Sequence, residues 1–294
     1  PAPPLRIALV QGNIEQSQKW DPAYRRQVLE VYEKLSAQAA EQGVDLIVWP
    51  EASTPFFFGL DKTGSRAVEE LARNLKTPLL IGSPRLESPD PGATVYNSAY
   101  LVEKNGGTAG RYDKMHLVPF GEFVPFREVL FFVEKMVETI GNFGRGTEAT
   151  VFNLDGRRFG VSICYEITFP WLVRQPVARG AGFLVNITND AWFGKSAASY
   201  QHFSMAALRA VENRVPIVRA ANTGITGWVD VSGRIRQPTG LFVQDVVIAR
   251  ITPNTGPRTY YARYGDVFSW ACLLSLIAFA ARARKLEPVR ADMN

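Results

Sequence analysis

Apolar positions along this chain recur at two spacings, and the two take turns. Residues 5–11 form an apolar run that stops at Gly12-Asn13, as a buried strand does. Asp21-Pro22 then supplies a helix N-cap with proline at the first helical position. The helix it opens runs to about Gln42, with Val28, Leu29, Tyr32, Leu35 and Ala39 on one face, and Gly43 ends it. Residues 46–49 return to a continuous apolar run, so strand, helix and strand form a βαβ unit. The alternation continues with a helix over 65–76 and strands over 78–82, 94–102 and 110–112, the last two separated by the Gly106-Gly107 turn. A second series follows: strands over 159–163, 182–187, 216–220 and 225–231, helices opening near Thr168 and over 196–213, and closing strands that end near Ile251. The two halves share one pattern. Two sheets packed face to face with helices outside would satisfy both.

Two stretches break this rhythm. Residues 123–143 crowd thirteen apolar side chains, among them Phe126, Leu130, Phe131, Phe132 and Val133, with Glu128, Glu134, Lys135 and Glu138 giving one polar side. That pattern suits either an amphipathic helix on the core or an apolar arm whose five named residues face solvent or lipid. Residues 267–281 are wholly uncharged, flanked by Tyr260, Tyr261, Tyr264 and Trp270 and followed by Arg282, Arg284, Lys285 and Arg290. Aromatic flanks and trailing positive charge predict a transmembrane helix with a cytoplasmic end, although the run is shorter than the ~20 residues usual for a span. The competing expectation is a buried C-terminal helix.

Composition narrows the chemistry. With 294 residues and 46% hydrophobic content, the chain can bury a sizeable core. Lys and Arg number 33 against 28 Asp and Glu, and no basic run accompanies that mild excess, which argues against nucleic acid as a partner. The two cysteines, Cys164 and Cys272, sit at a strand end and in the apolar tail, a poor pair for a disulfide. Two histidines without metal-ligand spacing disfavour a zinc hydrolase, and no cofactor is implied. The chain starts at Pro1 without a signal-like pattern, which reads as a processed chain or an excised piece of something longer.

Three residues at strand ends carry candidate chemistry. Cys164 lies where the strand 159–163 gives way to a helix, a place that favours a thiolate and so a nucleophile, though a free cysteine is also a common small buried residue. Glu51 follows the strand 46–49, at the sheet end where α/β folds bind ligands; a helix cap or a solvated charge is the alternative. Lys114, set among Tyr112, Met115 and Leu117, is either a surface lysine or a partly buried ammonium that demands an acidic partner.

Residues 46–53, 112–122 and 160–166 resemble the three motif blocks of the nitrilase, or carbon–nitrogen hydrolase, superfamily. The resemblance is closest to its branch of apolipoprotein N-acyltransferases of bacterial inner membranes, through Gln11-Gly12-Asn13-Ile14, Lys19-Trp20, Trp49-Pro50-Glu51, the run from Lys114 to Glu122, Cys164-Tyr165-Glu166 and the run from Asn186 to Phe193. It implies an α/β fold, a four-layer αββα sandwich, over residues 1–258, then a transmembrane helix and basic cytoplasmic tail over 259–294. The family's preceding membrane bundle is not within this chain. It implies a Glu51-Lys114-Cys164 triad in which Glu51 is general base and acid, Cys164 carries the acyl group as a thioester, and Lys114 with the Tyr165 N–H meets the oxyanion. Glu122 and Glu166 resemble supporting carboxylates, while Trp20, Tyr165 and the 123–143 arm would hold lipid or shape the pocket. The implied partners are a phospholipid acyl donor, an apolipoprotein acceptor and the inner membrane, with the catalytic domain on the periplasmic face. A soluble amidase of the superfamily and a tethered binding module remain as alternatives.

Overall fold

Along the first strand, Leu5, Ile7 and Leu9 face one apolar cluster while Ala8 and Val10 face another. A strand buried on both faces needs a layer on each side, and the rest of the chain supplies them. The computed structural model describes residues 3–90, 92–119, 121–122 and 143–286. In chain order its elements are β1 (Leu5–Gln11), α1 (Arg25–Ala40), β2 (Leu46–Val48), α2 (Lys62–Leu75), β3 (Leu79–Leu86), β4 (Val95–Val102), β5 (Thr108–Asp113), β6 (Val151–Leu154), β7 (Arg157–Ile163), α3 (Pro170–Ala178), β8 (Phe183–Thr188), α4 (Ala198–Asn213), β9 (Ile217–Ala221), β10 (Gly227–Val229), β11 (Ile235–Arg236), β12 (Asp245–Ile251), α5 (Tyr260–Tyr264) and α6 (Val267–Leu286).

The strands form two six-stranded sheets, β12-β1-β2-β3-β4-β5 and β11-β10-β9-β8-β7-β6. Each has a parallel centre, β1-β2-β3 in one and β7-β8-β9 in the other, and antiparallel strands outside it. Between the sheets lies a core of Leu5, Ile7, Leu46, Val48, Leu80 and Tyr112 against Phe159, Ile163, Phe183, Val185 and Val218. Phe152, Phe159 and Phe183 stack in series there, with centroids 5.1 and 5.0 Å apart. Outside the first sheet α1 and α2 bury Val28, Tyr32, Leu35, Val68 and Ala72. Outside the second, α3, α4 and α5 bury Val173, Val177, Phe203, Ala206 and Ala262. The layers therefore run α, β, β, α, as the paired halves of the sequence require.

Local signals held with shifts at the ends. Asp21 caps a 3-10 turn (Pro22–Tyr24), accepting from the Ala23 N–H, and α1 begins only after it. The third strand continues through Gly82 to Leu86 because β4 pairs with it along its whole length, from Leu79–Val102 to Leu86–Val95. Gly82 reads as a stop in sequence, but its site is one where the backbone of Pro50 and Glu51 presses too close for any side chain.

The transmembrane expectation is not matched. The helix α6 forms and exposes Phe268, Trp270, Leu274 and Phe279, so it is not the buried C-terminal helix either. Yet no helix among the described residues is long and apolar enough to cross a membrane. Its uncharged run, 267–281, rises only about 22 Å at 1.5 Å per residue, short of a hydrocarbon core of about 30 Å. Residues 123–142 of the expected arm, including Phe126, Leu130, Phe131, Phe132 and Val133, lie outside the described residues.

Candidate active site

Strand ends of both sheets converge on Cys164. This residue ends β7 and opens a 3-10 turn (Cys164–Thr168), with φ of 55°, a left-handed conformation that a side chain normally avoids. One buried carboxylate ties the turn down. Glu166 Oε2 accepts from the Ile163 N–H at 2.7 Å and the Tyr112 hydroxyl at 2.8 Å, and Oε1 accepts from the Met115 and His116 N–H groups at 2.7 and 2.9 Å. Glu166 thus fastens the turn carrying Cys164 to the loop carrying Lys114. Burial pushes its pKa up, against the pull of these donors.

Lys114 follows β5 and its side chain is 1% exposed. A buried ammonium requires a countercharge, and it has two: Glu122 Oε1 at 2.8 Å and Glu51 Oε1 at 3.4 Å. Asn97, in the middle of β4, donates to both carboxylates, at 2.7 Å to Glu51 and 3.2 Å to Glu122. Glu51 Oε2 takes the Asn189 N–H at 2.7 Å, and Glu122 Oε2 takes the Val118 N–H at 2.9 Å. Burial works against the Lys114 charge, but Glu51 and Glu122 oppose it, and its pKa lies above the usual lysine value. The surface-lysine and solvated-glutamate alternatives are excluded by these contacts.

The thiol does not behave as the strand-to-helix junction suggests. Burial and the negative charge of Glu51 push the Cys164 pKa up to about 12, while Lys114 and a hydrogen bond from Thr188 act the other way. The junction is a 3-10 turn, with α3 starting only at Pro170, so its few aligned peptides cannot offset a carboxylate nearby. Burial and the Glu51 charge thus favour the neutral thiol at rest, and Glu51 and the sulfur are electrostatically coupled.

A second group of buried polar residues lies behind Cys164. His202 on α4 sets Nε2 at 3.1 Å from the Cys164 carbonyl oxygen and Nδ1 at 3.0 Å from Asp190 Oδ1. Arg219 on β9 donates to Asp190 Oδ2 at 2.7 Å and also to Asn186. Sequence reading assigned no role to His202, Arg219 or Asn97, and it met Lys19 only in the recognised Lys19-Trp20 pair. Lys19 is buried and donates to the Glu51 carbonyl at 3.0 Å; burial lowers its pKa to about 8 against the charge of Glu51. Asn189 and Asp190 stood in a recognised block, so that block was their signal. Asn97 and Arg219 look like ordinary strand residues and had none.

The two expected aromatic residues are on the surface. Trp20 is 47% and Tyr165 40% exposed, and Trp192, beyond Asp190, is 75% exposed. Tyr165 meets Phe169 edge-on, and Phe169 in turn covers the His116 ring at 3.8 Å. Trp20 is joined to the site through its neighbour Lys19.

Comparison with known proteins agrees with this geometry. The family model described as carbon-nitrogen hydrolase matches residues 6–261. An apolipoprotein N-acyltransferase of Geobacter metallireducens is 47% identical over 97% of this chain and 55% of its own length. Its counterpart in Bradyrhizobium diazoefficiens is 35% identical over 95% of this chain and 54% of its own. The chain thus spans about half the length of the curated relatives it matches. Among solved structures, Saccharomyces cerevisiae Nit3, a member of branch 10 of the nitrilase superfamily, aligns with a TM-score of 0.67 at 20% identity, covering 86% of this chain and 91% of that one. An amidase from Nesterenkonia sp. AN1 aligns with a TM-score of 0.63 at 21% identity, covering 85% and 92%. The αββα layering, the convergent strand ends and the family match lead to one assignment: the chain belongs to the carbon-nitrogen hydrolase family.

Proposed function

We propose that residues 1–258 are the catalytic domain of an apolipoprotein N-acyltransferase, which moves a fatty acyl chain from a phospholipid to the N-terminal amine of a diacylglyceryl-cysteine. The single observation that carries this reading is the 47% identity across 97% of the chain to a relative of that activity. The buried Glu51 and Lys114 and the half-buried Cys164 supply chemistry that fits it.

A thiol with a pKa near 12 is ionised to only about one part in 10⁵ at pH 7, so attack has to be coupled to proton removal. In this reading Glu51 takes the thiol proton as sulfur bonds to the ester carbonyl carbon. The oxygen that gains charge meets the Lys114 ammonium and the Tyr165 N–H. Collapse breaks the bond to the glycerol oxygen, Glu51 returns the proton to that oxygen, and a thioester remains. The neutral acceptor amine then attacks the thioester carbon. One amine proton passes through Glu51 to the departing sulfur, and the products are an amide and a free thiol. Glu122 and Asn97 support this cycle by holding Lys114 and Glu51 in register.

The proposed setting is the bacterial inner membrane, with this domain on the periplasmic face. Support comes from the apolar residues that α6 exposes, Phe268, Trp270, Leu274 and Phe279, which suit contact with a lipid surface. Trp20, Tyr165 and the 123–143 arm would receive the lipid.

Incubation with phosphatidylethanolamine vesicles tests the reading. Mass spectrometry of the Cys164 peptide should show one added acyl chain, discharged when a diacylglyceryl-cysteine peptide is supplied. Absence of the adduct, together with release of ammonia from simple carboxamides, would instead establish an amidase.

A further inference from the structure

The peptide group between Cys164 and Tyr165 has two ends with different neighbours. Its N–H belongs to the first turn of the 3-10 segment, where N–H groups lack carbonyl partners within the turn. Its carbonyl is held from behind by two side chains: His202 Nε2 at 3.1 Å and, at the longer distance of 3.4 Å, Asn186 Nδ2. In a trans peptide the C=O and N–H point in opposite directions, and the described chain has no cis peptide. Holding the oxygen inward therefore turns the Tyr165 N–H outward, toward the side where the thiol reacts.

We infer that His202 is a positioning residue that sets the Cys164–Tyr165 peptide, so that the Tyr165 N–H is presented to the oxyanion formed on an acylating substrate. The inference rests on the thioester reading of Cys164. The geometry of His202 is fixed by its surroundings. A carbonyl oxygen only accepts, so Nε2 carries a proton. On the other side Nδ1 lies 3.0 Å from Asp190 Oδ1 and 3.1 Å from Arg219 Nη2. Asp190 is itself clamped by Arg219 at 2.7 Å and the Thr188 hydroxyl at 2.9 Å, and the Phe193 ring stands edge-on to the imidazole with centroids 5.8 Å apart. His202 is 5% exposed, so water does not compete for these bonds. Burial and the Arg219 charge lower its pKa, while Asp190 and the Cys164 carbonyl act the other way. The left-handed φ of Cys164 gives the anchor a purpose, because a residue bearing a side chain relaxes from that conformation unless something retains it. A hydrogen bond to the carbonyl also polarises the same peptide and makes its N–H a stronger donor.

The test separates a reaction that forms an oxyanion from one that does not, at the same sulfur, in the full chain carrying Cys272→Ala. 4-Nitrophenyl butyrate acylates the thiol: the S–C bond forms, 4-nitrophenolate leaves and Glu51 takes the proton. Iodoacetamide alkylates it by displacing iodide, with no tetrahedral oxygen. His202→Leu should slow the 4-nitrophenolate burst about 10²-fold, the usual effect of losing one oxyanion donor, and leave alkylation within about threefold. His202→Gln, whose amide N–H can reach the same carbonyl, should recover the burst to within about tenfold of wild type. A normal burst in His202→Leu would overturn the inference alone. Equal loss of both reactions in both variants would overturn it too, as a sign of packing. If His202→Leu fails to fold, the glutamine variant decides: a lost burst with intact alkylation defeats the inference. No burst from the wild-type protein, with alkylation intact, defeats the thioester reading itself.

Discussion

Two buried charge clusters meet at Cys164, one from each sheet, and they use charge for different ends. On the first sheet's side, Lys114 sits between Glu51 and Glu122, with Lys19 behind. Burial does most to raise the thiol's pKa; Glu51 adds to it and Lys114 opposes it, while Asp190 of the second side raises it further. On the second sheet's side, Arg219, Asp190 and His202 close on one another, and the only part of Cys164 they hold is its backbone carbonyl. A buried ion pair is a weak source of net stability, but breaking one leaves an uncompensated charge. The lesson is one of emphasis: the first cluster holds the two charges with the largest effect on the thiol, while the second also grips the backbone that carries it. Substitutions should therefore separate acyl chemistry from folding according to which side they fall on.

The largest expected effect belongs to the atom both clusters serve. Cys164→Ala should abolish acyl loading, while its melting free energy changes by no more than about 1–2 kcal/mol, since little volume is lost. Loading that persists in the variant, read by mass spectrometry, breaks the whole comparison.

On the first side, Glu51→Gln should lower transfer by about 10²–10⁴-fold through loss of the general base. Because the Glu51 charge helps to raise the thiol pKa, alkylation of Cys164 by iodoacetamide at pH 8 should become no slower than in wild type. The wild-type alkylation rate should keep rising about tenfold per pH unit from 7 to 9, as expected well below a pKa near 12. A plateau in that range would mean a thiolate already formed.

Asp190→Asn probes the second side and should cost about 3–5 kcal/mol of stability by stranding Arg219. Burial opposes ionisation of Asp190, but Arg219, His202 and Thr188 more than offset it, so its folded pKa lies below the usual carboxylate range. A depressed folded pKa means stability that is complete above the unfolded value of about 3.9 and is lost as pH falls below it. Thermal melts between pH 5 and pH 2.5 should fall more steeply for wild type than for the variant; parallel slopes would contradict the assigned charge state.

The smallest effect is expected outside both clusters. Trp20→Ala, at an exposed position, should alter stability by less than about 0.5 kcal/mol. Any loss of transfer should appear as a weaker KM for the phospholipid, with kcat preserved, because Trp20 touches neither cluster.

Much of this was written in one dimension. The apolar run of β1 and the three-to-four-residue spacing in α1 fit two sheets packed face to face with helices outside, and the family resemblance supplied the four-layer sandwich. Glu51, Lys114 and Cys164 were visible because each ends an apolar run, and strand ends of parallel sheets gather at one edge. What only tertiary structure decided is what those side chains are next to. Asn97 bridges Glu51 and Glu122 from mid-strand, Arg219 reaches Asp190 from another strand, and His202 arrives from a helix, across separations of 25 to 46 residues, 29 residues and 12 residues. A protonation state depends on the charges and water within a few ångströms. That is why the junction alone pointed to a thiolate while the folded site, with the Glu51 charge acting on a half-buried Cys164, favours a thiol.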